Sequence, residues 1–141
     1  MRSLLCAVLL AGSGCGPGPG LDPAFSGTWT GPVTVLLDGL SPLSYDGTLS
    51  IAAIDGKASL STLCPSGSSP ATLNGVGSEI MWSGTWHCPT FSTGDCASIE
   101  PVIASGRLDL ESDTTLSGHS FGTATGCGVQ RQMTVTLALH K

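Results

Sequence analysis

From residue 131 to the end of the chain the alternation of apolar and polar positions is unbroken. Arg131, Met133, Val135, Leu137 and Leu139 fall on one side, and Gln132, Thr134, Thr136, Ala138 and His140 on the other. A period of two identifies a strand with one buried face. Between Gly27 and Leu37 the same period sets Trp29, Val33, Val35 and Leu37 against Thr28, Thr30 and Thr34, with Pro32 marking an edge or a bulge. Further strands are expected at 47–54 (Leu49, Ile51, Ala53 inward), 57–64 (Ala58, Leu60, Thr62 inward), 71–75, and 79–87 (Ile80, Trp82, Trp86 on one face). Two more are expected at 102–111 (Val102, Ala104, Leu108, Leu110 inward) and 114–122, for eight in all.

The connections alternate in length. Asp55-Gly56 is the strongest hairpin signal, because a type I′ turn needs positive φ at both central residues. Val76-Gly77-Ser78 and Ser112-Asp113 are also short. The remaining connections, 38–46, 64–70, 88–101 and 123–130, are long and rich in Gly, Pro and Ser. Alternate connections of an antiparallel meander lie at opposite ends, so the domain is expected to have a short-turn end, where the chain enters, and a long-loop end.

Eight short antiparallel strands imply an all-β fold, an up-and-down barrel with a β-sandwich as the alternative. Gly27-Thr28-Trp29 resembles the Gly-x-Trp of the first strand in lipocalin- and avidin-like barrels, and Gly84-Thr85-Trp86 repeats it. The resemblance implies a ligand-binding calyx; it transfers no binding residues. On their own chemistry, Trp29, Trp82 and Trp86 read as core or barrel-plugging packing.

The only long apolar run lies at the N-terminus: Arg2, then Leu4 to Ala11, then Gly12, Ser13 and Gly14 before Cys15. This resembles the bacterial lipoprotein signal, which implies cleavage after residue 14 and lipidation of Cys15. An ordinary secretory signal cut near the same place is the alternative. The Gly/Pro stretch 16–23 suits a tether. The expected organisation is therefore a signal at 1–14, a lipidated Cys15 and tether at 15–24, and one β domain at 25–141, with folding beginning near Phe25.

Charge narrows the partners. Of 141 residues only 11% are charged, with a net charge of −5, and Arg2, Lys57, Arg107, Arg131 and Lys141 are scattered. Nothing here neutralises a phosphate backbone, so nucleic acid is not an expected partner. The membrane is the expected partner, through the lipid.

Apart from Cys6 in the apolar run and Cys15, an even set remains: Cys64, Cys88, Cys96 and Cys127. Export makes disulfides the default. Three connectivities are possible; the meander favours Cys64 with Cys88 and Cys96 with Cys127, and a Cys88 to Cys96 bridge is the runner-up. Zinc, with His87 beside Cys88, lacks the Cys-x-x-Cys spacing.

Gly118-His119-Ser120-Phe121-Gly122 matches the nucleophile-elbow pattern of α/β-hydrolases, but no acid follows it and no helical period continues from it. Asp109, Glu111 and Asp113 share one face and have oxygens suited to calcium, without a ligand loop around them. His119 and His140 lack paired acids. The expectation is a non-catalytic protein of the bacterial cell envelope, anchored on the exported side (periplasm or cell surface), with no cofactor. Its domain is a binding module with stapled loops or, alternatively, a structural lipoprotein without a ligand site.

Overall fold

Strands alternating in polarity every second residue must bury one face, and eight of them do so here by closing on themselves. The computed structural model describes residues 20–141. The signal at 1–14, Cys15 and the tether residues 16–19 lie outside the described residues. The strands are β1 (Gly27–Leu37), β2 (Leu43–Ile54), β3 (Lys57–Leu60), β4 (Ala71–Val76), β5 (Glu79–His87), β6 (Ile99–Ser112), β7 (Thr115–Gly126) and β8 (Val129–His140). Each pairs antiparallel with its sequence neighbours, and β8 pairs back onto β1, with Val135 opposite Val35. The result is a closed up-and-down barrel, and the sandwich alternative is excluded.

Hairpin chemistry sets the short-turn end. Asp55 and Gly56 have φ of 52° and 72°, the paired positive values of a type I′ turn. Gly77-Ser78 and Asp113-Thr114 make the other tight connections at that end. The entering chain is tied there as well: Leu21 bridges to Gly77, and Asp22 N donates to Gly77 O at 2.8 Å. Leu21 joins the core, so ordered contacts begin ahead of Phe25. A 3-10 turn, Pro23–Phe25, then seals this end of the barrel. Phe25 and Trp29 are both 0% exposed, and Trp29 Nε1 donates to Phe25 O at 2.8 Å. The Lys141 ammonium caps the plug 4.4 Å over the Trp29 ring.

Four expectations change. The strand expected at 57–64 stops at Leu60, so Thr62 belongs to the β3–β4 connection and not to an inward strand face. Residues 123–130 are not a long loop: β7 runs to Gly126, β8 starts at Val129, and Cys127-Gly128 (φ 52° and 76°) is a second two-residue turn. Residues 43–46 likewise belong to β2, which shortens the first connection to 38–42. In β6 the inward face is reversed ahead of a bulge. Ile99, Pro101 and Ile103 are buried there while Ala104 is exposed, and the register shift between Ile103 and Ser105 restores the expected phase by Leu108. One extra residue in a strand moves every earlier side chain to the opposite face.

Pro32 sits in neither an edge strand nor a register slip. The β1–β8 register is the same on both sides of it, Thr30 with His140 and Val33 with Leu137, but Gly31 and Pro32 are skipped.

Candidate functional site

The inner face of β7 is built from small residues: Gly118, Ser120, Gly122, Ala124 and Gly126 are all buried. Small side chains leave volume that neighbouring strands fill only in part. Across from Ser120 is Gly106, and across from Gly106 is Trp82, so the indole lies over a residue with no side chain of its own. Between this wall and the opposite one a cavity of about 170 Å³ remains. Val33, Leu49, Leu60, Leu108, Val135 and Leu139 make its apolar walls. Tyr45, Thr62, Ser66, Trp82 and Ser120 are the polar residues along it, and His119 reaches it from the backbone side, its carbonyl lying beside Gly106.

Residues 62–67 of the β3–β4 connection form the cover. They are held from several directions. Cys64 is bonded to Cys88, where the β5–β6 connection begins. The Tyr45 hydroxyl donates to Pro65 O. Within the cover, Thr62 Oγ1 accepts from Cys64 N at 3.0 Å and donates to Gly67 O at 3.3 Å. The second disulfide, Cys96 to Cys127, ties the β5–β6 connection to the β7–β8 turn. Asp95 Oδ2 accepts from Ser41 N at 3.0 Å, bringing in the β1–β2 connection. All four connections of this end are thus cross-linked, in the cysteine pairing that adjacent loops of the meander favour.

Electrostatically the cavity is neutral: among the described residues no Asp, Glu, Lys or Arg lines it. Burial pushes the Tyr45 phenol above its ordinary pKa. The Ser41 backbone and side-chain hydrogen bonds hold the Asp95 carboxyl below its usual range. Among the described residues two buried polar side-chain atoms have no partner, Trp82 Nε1 and Ser66 Oγ, and both residues line this cavity. A buried donor left unmade costs about 1–3 kcal/mol, so such atoms call for a partner that the protein itself does not supply.

Comparison with known proteins finds no family model, no curated protein and no solved structure that matches this chain.

Trp29 is core, as expected of a barrel plug, whereas Trp82 and Trp86 are only half-buried and Trp82 walls the cavity. Cys88 is in a disulfide and is not available to zinc beside His87. The Gly118 to Gly122 motif lies within continuous β strand rather than at a strand-to-helix turn. Ser120 faces the interior, while the His119 ring stands 5.2 Å from that of the exposed Phe121. The two are on opposite faces, so His119 cannot serve Ser120 as a base. Asp109 is engaged by Arg107, which also reaches Glu79 at 3.1 Å, and Glu111 accepts from Ser117 Oγ at 2.6 Å. Among the described residues no group of three or more His, Cys, Asp or Glu is placed to hold a metal ion. Ser66 and the cavity wall of β7 were not signalled by periodicity. The available signal was the run of small residues at every second position from Gly118 to Gly126.

Proposed function

We propose that this chain is an exported bacterial cell-envelope protein, lipid-anchored at Cys15, whose barrel is a non-catalytic binding module for a small molecule. The observation that carries the binding reading is the neutral cavity under a disulfide-stapled cover, with the Trp82 Nε1 and Ser66 Oγ atoms left unpaired. A purely structural barrel gains nothing from such a void, since cavities and unmet polar groups both lower stability. The Gly-x-Trp resemblance at Gly27-Thr28-Trp29 points the same way.

The export reading rests on the segment before Cys15 and on four cysteines paired in disulfides, which suit an oxidising compartment. The chain enters at the short-turn end, where Gly77 N donates to Gly20 O at 3.0 Å, opposite the cover formed by residues 62–67. A membrane anchor at Cys15 then turns the cover away from the bilayer, toward the solutes of the periplasm or the cell exterior.

Native mass spectrometry of the protein recovered from its own envelope tests the binding reading. A retained small molecule is expected, and a clean apo mass would favour a structural lipoprotein instead. Cys15→Ser tests the anchor, because the variant is expected to lose its lipid and move to the soluble envelope fraction. Unchanged mass and membrane association would overturn it.

A further inference from the structure

The chemical character of the cavity restricts its occupant. Deepening the binding reading above, on which it rests, we infer that the ligand is a small uncharged organic molecule of about single-ring size, with an oxygen that accepts a hydrogen bond from Trp82 Nε1–H. Size comes first. An enclosed apolar cavity of about 150 Å³ accepts benzene, and this one measures about 170 Å³. A six-membered ring with a short substituent fits this volume.

Charge comes second. Among the described residues no carboxylate, ammonium or guanidinium lines the cavity, so a charged ligand would be stripped of water without a counter-charge. The walls of Val33, Leu49, Leu60 and Val135 take apolar surface.

Polarity comes third. The indole N–H is a donor and never an acceptor, so the unpaired Trp82 Nε1 specifies an acceptor atom on its partner. Ser66 Oγ, unpaired on the cover, can donate or accept and so tolerates a carbonyl, an ether or a hydroxyl. Trp82 is fixed for this role by its seat over Gly106, where an added Cβ would fall 2.1 Å from the indole Cζ2.

Three probes of similar size separate these requirements: acetophenone (ring plus carbonyl), toluene (ring, no acceptor) and benzoate (ring plus charge). Titration of the full chain, with both disulfides closed, follows affinity and the indole N–H resonances of its three tryptophans. Acetophenone is expected to bind at least about tenfold more tightly than toluene, a difference of one good hydrogen bond. It is also expected to move the Trp82 indole N–H signal downfield, and benzoate is expected not to bind. In Trp82→Phe the advantage of acetophenone over toluene disappears while toluene affinity is retained; the wild-type comparison stands without this variant should it fail to fold. Equal binding of acetophenone and toluene, preferential binding of benzoate, or acetophenone binding with an unmoved Trp82 signal overturns the inference. If no probe binds but native mass spectrometry finds a retained molecule, the ligand class is wrong and the cavity reading stands. If no probe binds and nothing is retained, both fall.

Discussion

Trp82 and Gly106 face each other across the β5–β6 pair, and the indole occupies the space that any side chain at 106 would need. An ideal Cβ there would also lie 2.7 Å from His119 O, so the ring cannot be relieved by a small backbone shift on that side. Gly106→Ala is therefore expected to destabilise the fold by about 1–3 kcal/mol through overpacking and to displace the Trp82 indole from the cavity wall. Urea unfolding reads the first effect and the Trp82 indole resonance the second. An unchanged midpoint and an unmoved resonance would show that the ring does not sit on this glycine.

Gly56→Val tests the hairpin between β2 and β3. At φ of 72° a β-branched residue is strained, and a loss of at least about 1 kcal/mol is expected. An unchanged melting temperature would refute the type I′ turn.

Removing the Cys64–Cys88 disulfide, as the paired Cys64→Ala and Cys88→Ala variant, frees the cover. The bridge spans 24 residues, for which loop-closure entropy implies about 3 kcal/mol. Hydrogen exchange is expected to accelerate first in residues 61–70 and last at the short-turn end around Phe25 and Trp29. Unreduced peptide mapping of the parent protein should recover Cys64 linked to Cys88. Four free thiols would contradict both bridges.

Tyr45 offers a pH test with a single reporter, since the chain contains one tyrosine. Burial raises its phenol above the ordinary value near 10, so folding favours the protonated form. The stability it contributes is complete below pH 10 and is lost as pH rises through the raised value. Ionisation also removes the donor to Pro65 O and with it one hold on the cover. Ultraviolet titration of tyrosinate is expected to show a midpoint above the ordinary one, with exchange in residues 62–67 rising in step. A midpoint at or below the ordinary value would place Tyr45 in water.

Much of this architecture is legible because strand, turn and disulfide chemistry are local or nearly so. The alternation from Arg131 to His140 and the Asp55-Gly56 turn follow from period and connection length, and the order of the meander favours the observed Cys64–Cys88 and Cys96–Cys127 pairing over the Cys88–Cys96 alternative. The failures share a physical cause. A bulge at Ala104 shifts phase without leaving a mark in composition, so Val102 and Ala104 read as inward when Pro101 and Ile103 are. Gly and Thr around Cys127 read as loop, but here glycine lets the end of β7 approach its neighbours: an added Cβ at Gly126 would fall 2.7 Å from Ser98 O. The cavity is a further step removed. It is a volume left over among strands distant in sequence, and no periodicity encodes that Trp82 and Ser66 end without partners.

The ring of strands closes unevenly. Between β4 and β5, neighbours in sequence, only Gly75 with Ile80 and Val76 with Glu79 are paired, whereas β1 is joined to β8 along most of its length. The longest-range pairing therefore completes the barrel, and that is the slow kind to form, because the entropy of closing nearly the whole chain comes due before the ladder returns it. Synthesis proceeds from the N-terminus, so β1 is made first and waits, one flank bare, until the last dozen residues arrive. That flank carries Val33, Val35, Leu36 and Leu37, an invitation to pair with another nascent chain. Pro32, at the gap in the β1–β8 ladder, offers no N–H there. It blunts the waiting edge at the point where the finished barrel does not need it.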